Sequence, residues 1–141
     1  MARIFWDTNL FIYLMEDRGA LAERVEDLWR GMKSRGDRLY TSALTLGEVL
    51  VKPCSDGALA LEQEYQRLLR HPKITVLPFD ASVAPYYARV RTDRSIRPPD
   101  AIQLAIASAA DMDLFITNDE RLGRKNIAGI KFITSLDRAP I

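Results

Sequence analysis

Histidine and cysteine occur once each in the 141 residues, as His71 and Cys54. A zinc site built from the usual nitrogen and sulfur ligands therefore cannot be assembled, and neither can a histidine-based catalytic triad. A lone cysteine also excludes an internal disulfide, which fits a reducing compartment. The glycines, at 19, 31, 36, 47, 57, 123 and 129, form no Gly-x-Gly-x-x-Gly and no phosphate-cradling loop ending in Lys-Ser or Lys-Thr, so nucleotide binding loses its main support. No apolar run approaches the roughly 18 residues of a membrane span, and Asp7 interrupts the amino terminus almost at once. No membrane anchor or signal peptide is expected, and a cytoplasmic location is. Charge of one sign is missing too: 20 basic and 19 acidic residues leave a net +1, so any basic surface must be local.

What is present is apolar mass in a regular rhythm. Apolar residues make up 48% of the chain, enough for the core of one domain over residues 1–141. Strand-like runs at Ile4–Trp6, Leu39–Thr41, Ile74–Leu77, Leu114–Thr117 and Lys131–Ile133 alternate with helical patterns. Those patterns are Leu10–Met15, a stripe of Leu21, Val25, Leu28, Trp29 and Met32 stopped by Gly36, Leu44–Lys52 halted by Pro53, a helix with Leu59, Leu61, Tyr65, Leu68 and Leu69, Asp80–Arg91, and an alanine-rich helix from Pro98 to about Ala110. Strands alternating with helices predict an α/β fold, a parallel sheet with helices on both faces.

With nitrogen and sulfur chemistry excluded, oxygen chemistry remains, and the carboxylates must be sorted. Asp7 ends the buried run Ile4-Phe5-Trp6 at its carboxyl end; an N-cap for the next helix is the alternative role. Glu48 is the only charged residue between Tyr40 and Lys52 and shares a helix face with Leu44 and Val51, where an unpaired carboxylate is costly; the alternative is a partly exposed helix glutamate. Asp100 follows Pro98 and Pro99 in the first turn of its helix, and Asp119 lies just past the fourth strand; each also suits a dipole, turn or cap role. Jointly, these positions point toward the carboxyl edge of one sheet, where open α/β sheets place ligands. Asp111 and Asp113 precede the fourth strand and belong on the opposite edge, about 13 Å away, and Asp80 reads as an N-cap. Four carboxylates at close range need a cation, and oxygen-only ligation favours Mg²⁺ or Mn²⁺. Such an ion suits phosphodiester hydrolysis.

Asp7-Thr8-Asn9 after the first strand, Glu48 in an apolar helix, Pro-Asp100-Ala-Ile-Gln-Leu-Ala and Thr117-Asn118-Asp119 together resemble the four acidic motifs of PIN domains, over nearly the whole chain. The small size is similar to VapC-type toxins. The resemblance implies a three-layer α/β/α sandwich with a mostly parallel five-stranded sheet. It also implies a metal-dependent endoribonuclease in which Asp7, Glu48, Asp100 and Asp119 hold Mg²⁺ or Mn²⁺, while Thr8, Asn9, Thr117 and Asn118 orient ligands or water. A homodimer and a cognate antitoxin are implied as well.

Contacts to an RNA backbone are expected from Arg89, Arg91, Arg94 and Arg97, which lead into Asp100, and from Lys52, Arg121 and Arg124; a solvated helix face is the competing reading. Tyr86 and Tyr87 are candidates for stacking on bases or for core packing. Trp29, Tyr65 and Leu69 exceed what a small sheet obviously needs to cover, a weak residue-level hint of dimerisation. The competing functions are a non-toxin processing or repair nuclease, a catalytically silent binding domain with an acid turned away from the site, and a phosphatase or receiver-type domain. The last is disfavoured because Asp7-Thr8-Asn9 lacks a second aspartate two positions on.

Overall fold

A computed structural model describes residues 1–140, so Ile141, the end of the expected domain, lies outside the described residues. Five strands form one sheet: β1 (Arg3–Trp6), β2 (Arg38–Ser42), β3 (Ile74–Leu77), β4 (Met112–Thr117) and β5 (Ile130–Ser135), in the order β3-β2-β1-β4-β5 with every pair parallel. Six helices connect them: α1 (Thr8–Glu16), α2 (Ala20–Arg35), α3 (Ala43–Asp56), α4 (Leu59–Leu69), α5 (Ala84–Val90) and α6 (Pro98–Ala109). No helix among the described residues is long and apolar enough to cross a membrane.

β1 is the centre because its short apolar run can be covered on both faces, as parallel strands require. Its side chains alternate: Ile4 and Trp6 join one core with Leu10, Phe11, Val25, Leu28 and Tyr65, whereas Phe5 joins the other with Leu104, Ile106 and Phe115. Phe5 and Phe115 stack across the β1–β4 pair with ring centroids 5.0 Å apart. One layer of helices therefore lies on each face, giving three layers.

The chain leaves β1 toward β2 and β3, then crosses back through α5 and α6 to place β4 on β1's other side. The strand order reverses between β1 and β4, and a crevice at such a switch point lies at the carboxyl ends of the strands. That reversal positions the site.

Several local expectations are corrected. Pro53 does not halt α3, which runs on to Asp56. It sits in the last turn, where the missing N–H removes a single helical bond, and the helix closes instead at Gly57, whose φ of 66° suits a left-handed cap. The helix expected from Asp80 starts at Ala84, because Asp80 Oδ1 accepts the Ser82 N–H at 3.0 Å and closes a separate turn first. α1 begins at Thr8 because Asp7 caps it. β4 begins at Met112, two residues early, since Met112 pairs with Ile130, and β5 runs over Ile130–Ser135. Asp113 thus lies inside β4, yet on the predicted opposite edge, accepting the Arg3 N–H at 2.8 Å. Leu59 and Val51 are exposed, not part of the apolar stripes assigned to them. Trp29, Tyr65 and Leu69 prove to be core: Tyr65 and Leu69 are buried, and Trp29 packs edge-on against Trp6 with centroids 5.5 Å apart. They leave no residue-level argument for a dimer.

Candidate active site

The site begins where β1 runs out. The Asp7 N–H still donates to Ile116 O of β4 at 3.0 Å, so the residue is held across the seam between the two strands. Its carboxylate then serves both flanking elements: Oδ1 accepts the Thr8 N–H at 2.9 Å as the N-cap of α1, and Oδ2 accepts the Thr117 hydroxyl at 2.9 Å. The cap role is therefore compatible with a place in the candidate site. Only 9% of Asp7 is exposed, and burial pushes its pKa above 3.8 despite opposing hydrogen bonds from Thr117, Thr8 and Gln103. The charge of Asp119 adds to the rise.

Asp100 stands half-buried in the first turn of α6. Its pKa is raised, first by burial and then by Asp7, with Arg97 opposing and Asp119 and Glu48 adding smaller pushes. All four acids therefore share one electrostatic neighbourhood, with Asp7 the strongest acidic influence on Asp100. Glu48 is partly exposed, and its Oε1 accepts the Thr8 hydroxyl at 2.6 Å. The apolar face expected around it is absent: Val51 is 66% exposed, and Glu48 faces Thr8 rather than the core. Asp119 also keeps its turn role, with Oδ1 accepting the N–H groups of Arg121 at 2.9 Å and Leu122 at 3.3 Å.

Of the four neighbours assigned to orient ligands, Thr8 and Thr117 touch the acids. Thr117 Oγ1 donates to Asp7 and accepts the Asp119 N–H at 3.1 Å, bridging β1's acid to β4's. Asn118 instead donates to the Tyr13 hydroxyl at 2.5 Å, and Asn9 is exposed, with no side-chain hydrogen bond among the described residues. Among the cations, Arg97 Nε lies 4.0 Å from Asp100 and Arg121 Nε lies 3.8 Å from Asp119. Arg91 is committed to structure, donating to Ile96 O at 2.6 Å, and Arg89 lies over the Tyr86 ring at 5.1 Å. Arg94 and Lys52 are exposed, and Arg124 lies in a short 3-10 turn with no contact to an acid among the described residues. Tyr86 and Tyr87 pack partly against the α6-side core, with Tyr87 edge-on to Phe79.

Sequence reading quoted Gln103 within a motif but gave it no role, and it missed Thr45 and Ser42. All three are buried, and Gln103 Nε2 lies 2.7 Å from Thr45 Oγ1, 3.2 Å from Thr8 Oγ1 and 3.3 Å from Asp7 Oδ1. The available signal was spacing: Gln103 follows Asp100 by three on a mostly apolar helix, which puts both on one face.

Whether a hard cation fits can be judged from the donors. Among the described residues no three acid, histidine or cysteine side chains close into a ready-made metal cage. Mg²⁺ rarely uses such a cage; it keeps several waters and takes one or two carboxylates plus substrate oxygens. An oxygen-only set in which burial raises the pKa of Asp7 and of Asp100, with Asp7 adding to the rise at Asp100, fits that description. Sizeable concavities of about 740 and 750 Å³, around Arg91 and Arg94 and around Gln63 and His71, include none of the four acids. The acids thus line neither of them.

A parallel α/β domain with an acidic, polar-supported switch point defines the class, and the family follows from comparison with known proteins. The family model described as PIN domain matches residues 4–128, and the chain belongs to the PIN domain family. No curated protein sequence matches the chain. Its fold is similar to the Rickettsia felis VapBC2 structure bound to a DNA fragment from their promoter, with TM-score 0.75, 15% identity, and coverage of 94% of this chain and 98% of that one. It is also similar to DNA-bound VapBC from Salmonella typhimurium (TM-score 0.68, 20% identity, 96% and 99% covered) and to a toxin–antitoxin complex from Klebsiella pneumoniae (0.68, 21%, 90% and 94%). At these identities the likeness concerns the fold.

Proposed function

We propose that this chain is a divalent-metal-dependent endoribonuclease and the toxin of a toxin–antitoxin pair. The observation that carries the reading is the convergence of the acids at the switch point between β1 and β4: Thr117 joins Asp7 to the Asp119 backbone, Thr8 beside Asp7 holds Glu48, and Asp100 stands near enough for all three charges to bear on it. It also speaks against a silent binding domain, which needs an acid turned away. Asp7 and Asp100 would hold Mg²⁺ or Mn²⁺, with Glu48 and Asp119 flanking. When bound, the ion supplies water activation and shields charge developing on a phosphodiester. The chain's own part is to hold the acids in place: Thr117 bridges Asp7 to the Asp119 backbone, Thr8 fixes Glu48, and the N-cap geometry fixes Asp7. Arg97 and Arg121, exposed beside the acids, are placed to meet substrate phosphates. An antitoxin partner is supported by the toxin–antitoxin complexes among structures of the same fold, and a homodimer rests on the resemblance of the sequence to VapC-type toxins alone.

The test is incubation of the purified protein with labelled RNA and DNA in Mn²⁺, Mg²⁺ or EDTA. RNA cleavage with either ion and none in EDTA is expected. Cleavage that survives chelation would sink the metal mechanism, and preferential cutting of DNA would favour a repair nuclease. Growth arrest on expression, relieved by the neighbouring reading frame, distinguishes a toxin from a housekeeping nuclease.

The arginines separate by the same logic. Arg97→Ala should weaken RNA binding and lower the salt slope by about 1, because a phosphate contact releases about one counterion. Arg91→Ala should leave that slope unchanged and lower thermal stability, since its partner is Ile96 O. Filter binding across salt concentrations, beside thermal melts, would expose a reversed pattern.

A further inference from the structure

We propose that Gln103 is a positioning residue that locks Asp7 and Glu48 to one another through a directed hydrogen-bond chain. This rests on the reading of the acidic edge as a metal-binding nuclease site. The direction of the chain follows from donors and acceptors. Ser42 Oγ accepts the Thr45 N–H at 3.1 Å and donates its own proton to Gln103 Oε1. That fixes the amide's sense, and the reverse would aim an amide oxygen at the Asp7 carboxylate. One Gln103 N–H then goes to Thr45 Oγ1 at 2.7 Å, and the other is shared between Asp7 Oδ1 and Thr8 Oγ1 at 3.3 and 3.2 Å. Thr8 gives its proton to Glu48 at 2.6 Å, so across the 3.2 Å contact Thr45 is the donor and Thr8 the acceptor. Every proton is used, and the chain ends on two carboxylates.

Gln103 is 2% exposed in a helix whose other buried residues are mostly alanine, leucine and isoleucine. An apolar residue there would avoid burying an amide, which is unfavourable unless all its bonds are made. Ser42 ends β2, Thr45 and Glu48 lie on α3, Thr8 opens α1 and Gln103 lies on α6, so one amide ties three helices and a strand to the end of β1. A shift of α3 relative to α1 would part Glu48 from Asp7, and Gln103 opposes it.

The experiment compares wild type with Gln103→Met, the nearly isosteric Thr45→Val, and Ser108→Ala. Ser108 is a second buried polar residue of α6, and its hydroxyl donates to Ala128 O away from the acids. Two quantities are read: the Mn²⁺ concentration giving half of the metal-induced rise in melting temperature without RNA, and kcat against KM for RNA at saturating Mn²⁺. Gln103→Met and Thr45→Val should raise the Mn²⁺ midpoint and lower kcat, each by about 10- to 100-fold, the range for groups that orient metal ligands, with KM little changed. Ser108→Ala should keep both quantities, whatever its effect on the melt. Wild-type midpoint and kcat in folded Gln103→Met and Thr45→Val would overturn the proposal, leaving Gln103 a core amide. If Gln103→Met does not fold, Thr45→Val decides alone. A wild-type protein that neither gains stability from Mn²⁺ nor cuts RNA overturns the site reading itself and this proposal with it.

Discussion

Asp7→Asn should abolish RNA cleavage, with a loss of about a thousand-fold or more, while making the protein more stable at neutral pH. The loss follows from removing a principal ligand of the proposed metal. An ion stabilising the transition state by about 4 kcal/mol is worth about three powers of ten in rate. The gain follows from burial. Asparagine caps a helix as well as aspartate does, so α1 keeps its N-cap. What disappears is a charge that the folded state disfavours: the Asp7 pKa lies above its ordinary 3.8, chiefly because the side chain is buried. The folded chain therefore holds that proton to higher pH than the unfolded chain does. Asp7's contribution to stability is fully present below the unfolded value and is lost as pH rises through the folded value. Asp100, raised by burial and by Asp7, acts with the same sign. Thermal melts of wild type should thus lose stability as pH climbs out of the acidic range, and Asp7→Asn should flatten that fall. A variant that cuts RNA at near wild-type rate, or that melts lower than wild type at pH 7 without metal, would refute this account of Asp7.

The largest effect on stability is expected on the opposite edge of the sheet. Gly129 leads into β5 with φ of 90°, a left-handed conformation that L side chains rarely adopt. A Cβ there would sit 2.6 Å from both the carbonyl oxygen and the hydroxyl of Ser108, and one of those is backbone that cannot swing aside. The Gly129 carbonyl also accepts the Met112 N–H at 3.0 Å, so the turn cannot rotate without loosening the start of β4. Strain and overlap together should make Gly129→Ala less stable by about 4 kcal/mol, a large part of the 5 to 15 kcal/mol typical of a domain. Urea unfolding measures it. Because Gly129 lies away from the acids, the folded fraction should keep the wild-type Mn²⁺ midpoint. A loss below about 1 kcal/mol would mean that the Ser108 carbonyl gives way more readily than its position in the last turn of α6 implies.

Much of the architecture was legible before any coordinates. The strands announced themselves as short, mostly apolar runs between helical patterns, and even the edge strand Ile74–Leu77, whose Thr75 is exposed, was found to the residue. Asp7 and Asp119 stood out because each ends such a run. The misreadings share a cause. Whether Pro53 breaks a helix depends on how far it stands from the helix end, and whether Trp29 and Tyr65 are core or interface depends on what packs over them. Arg91 read as a substrate contact, but its guanidinium closes its own loop onto Ile96 O. Gln103 was given no role because one polar residue on a helix looks much the same in sequence whether it faces water or four other polar groups.

By itself, then, the sequence determined the kinds and order of the elements and the presence of an acid at two strand ends, one helix start and one helix face. Those properties depend on residues a few positions apart. Only the tertiary structure decided that β4 returns beside β1, so that Thr117 reaches Asp7 and Asp100 feels Asp119, and that Gln103 meets Ser42, Thr45, Thr8 and Asp7 at one point. Such contacts span up to 110 positions along the chain and arise from which strand lies beside which, a property of the whole packed core and of no single stretch.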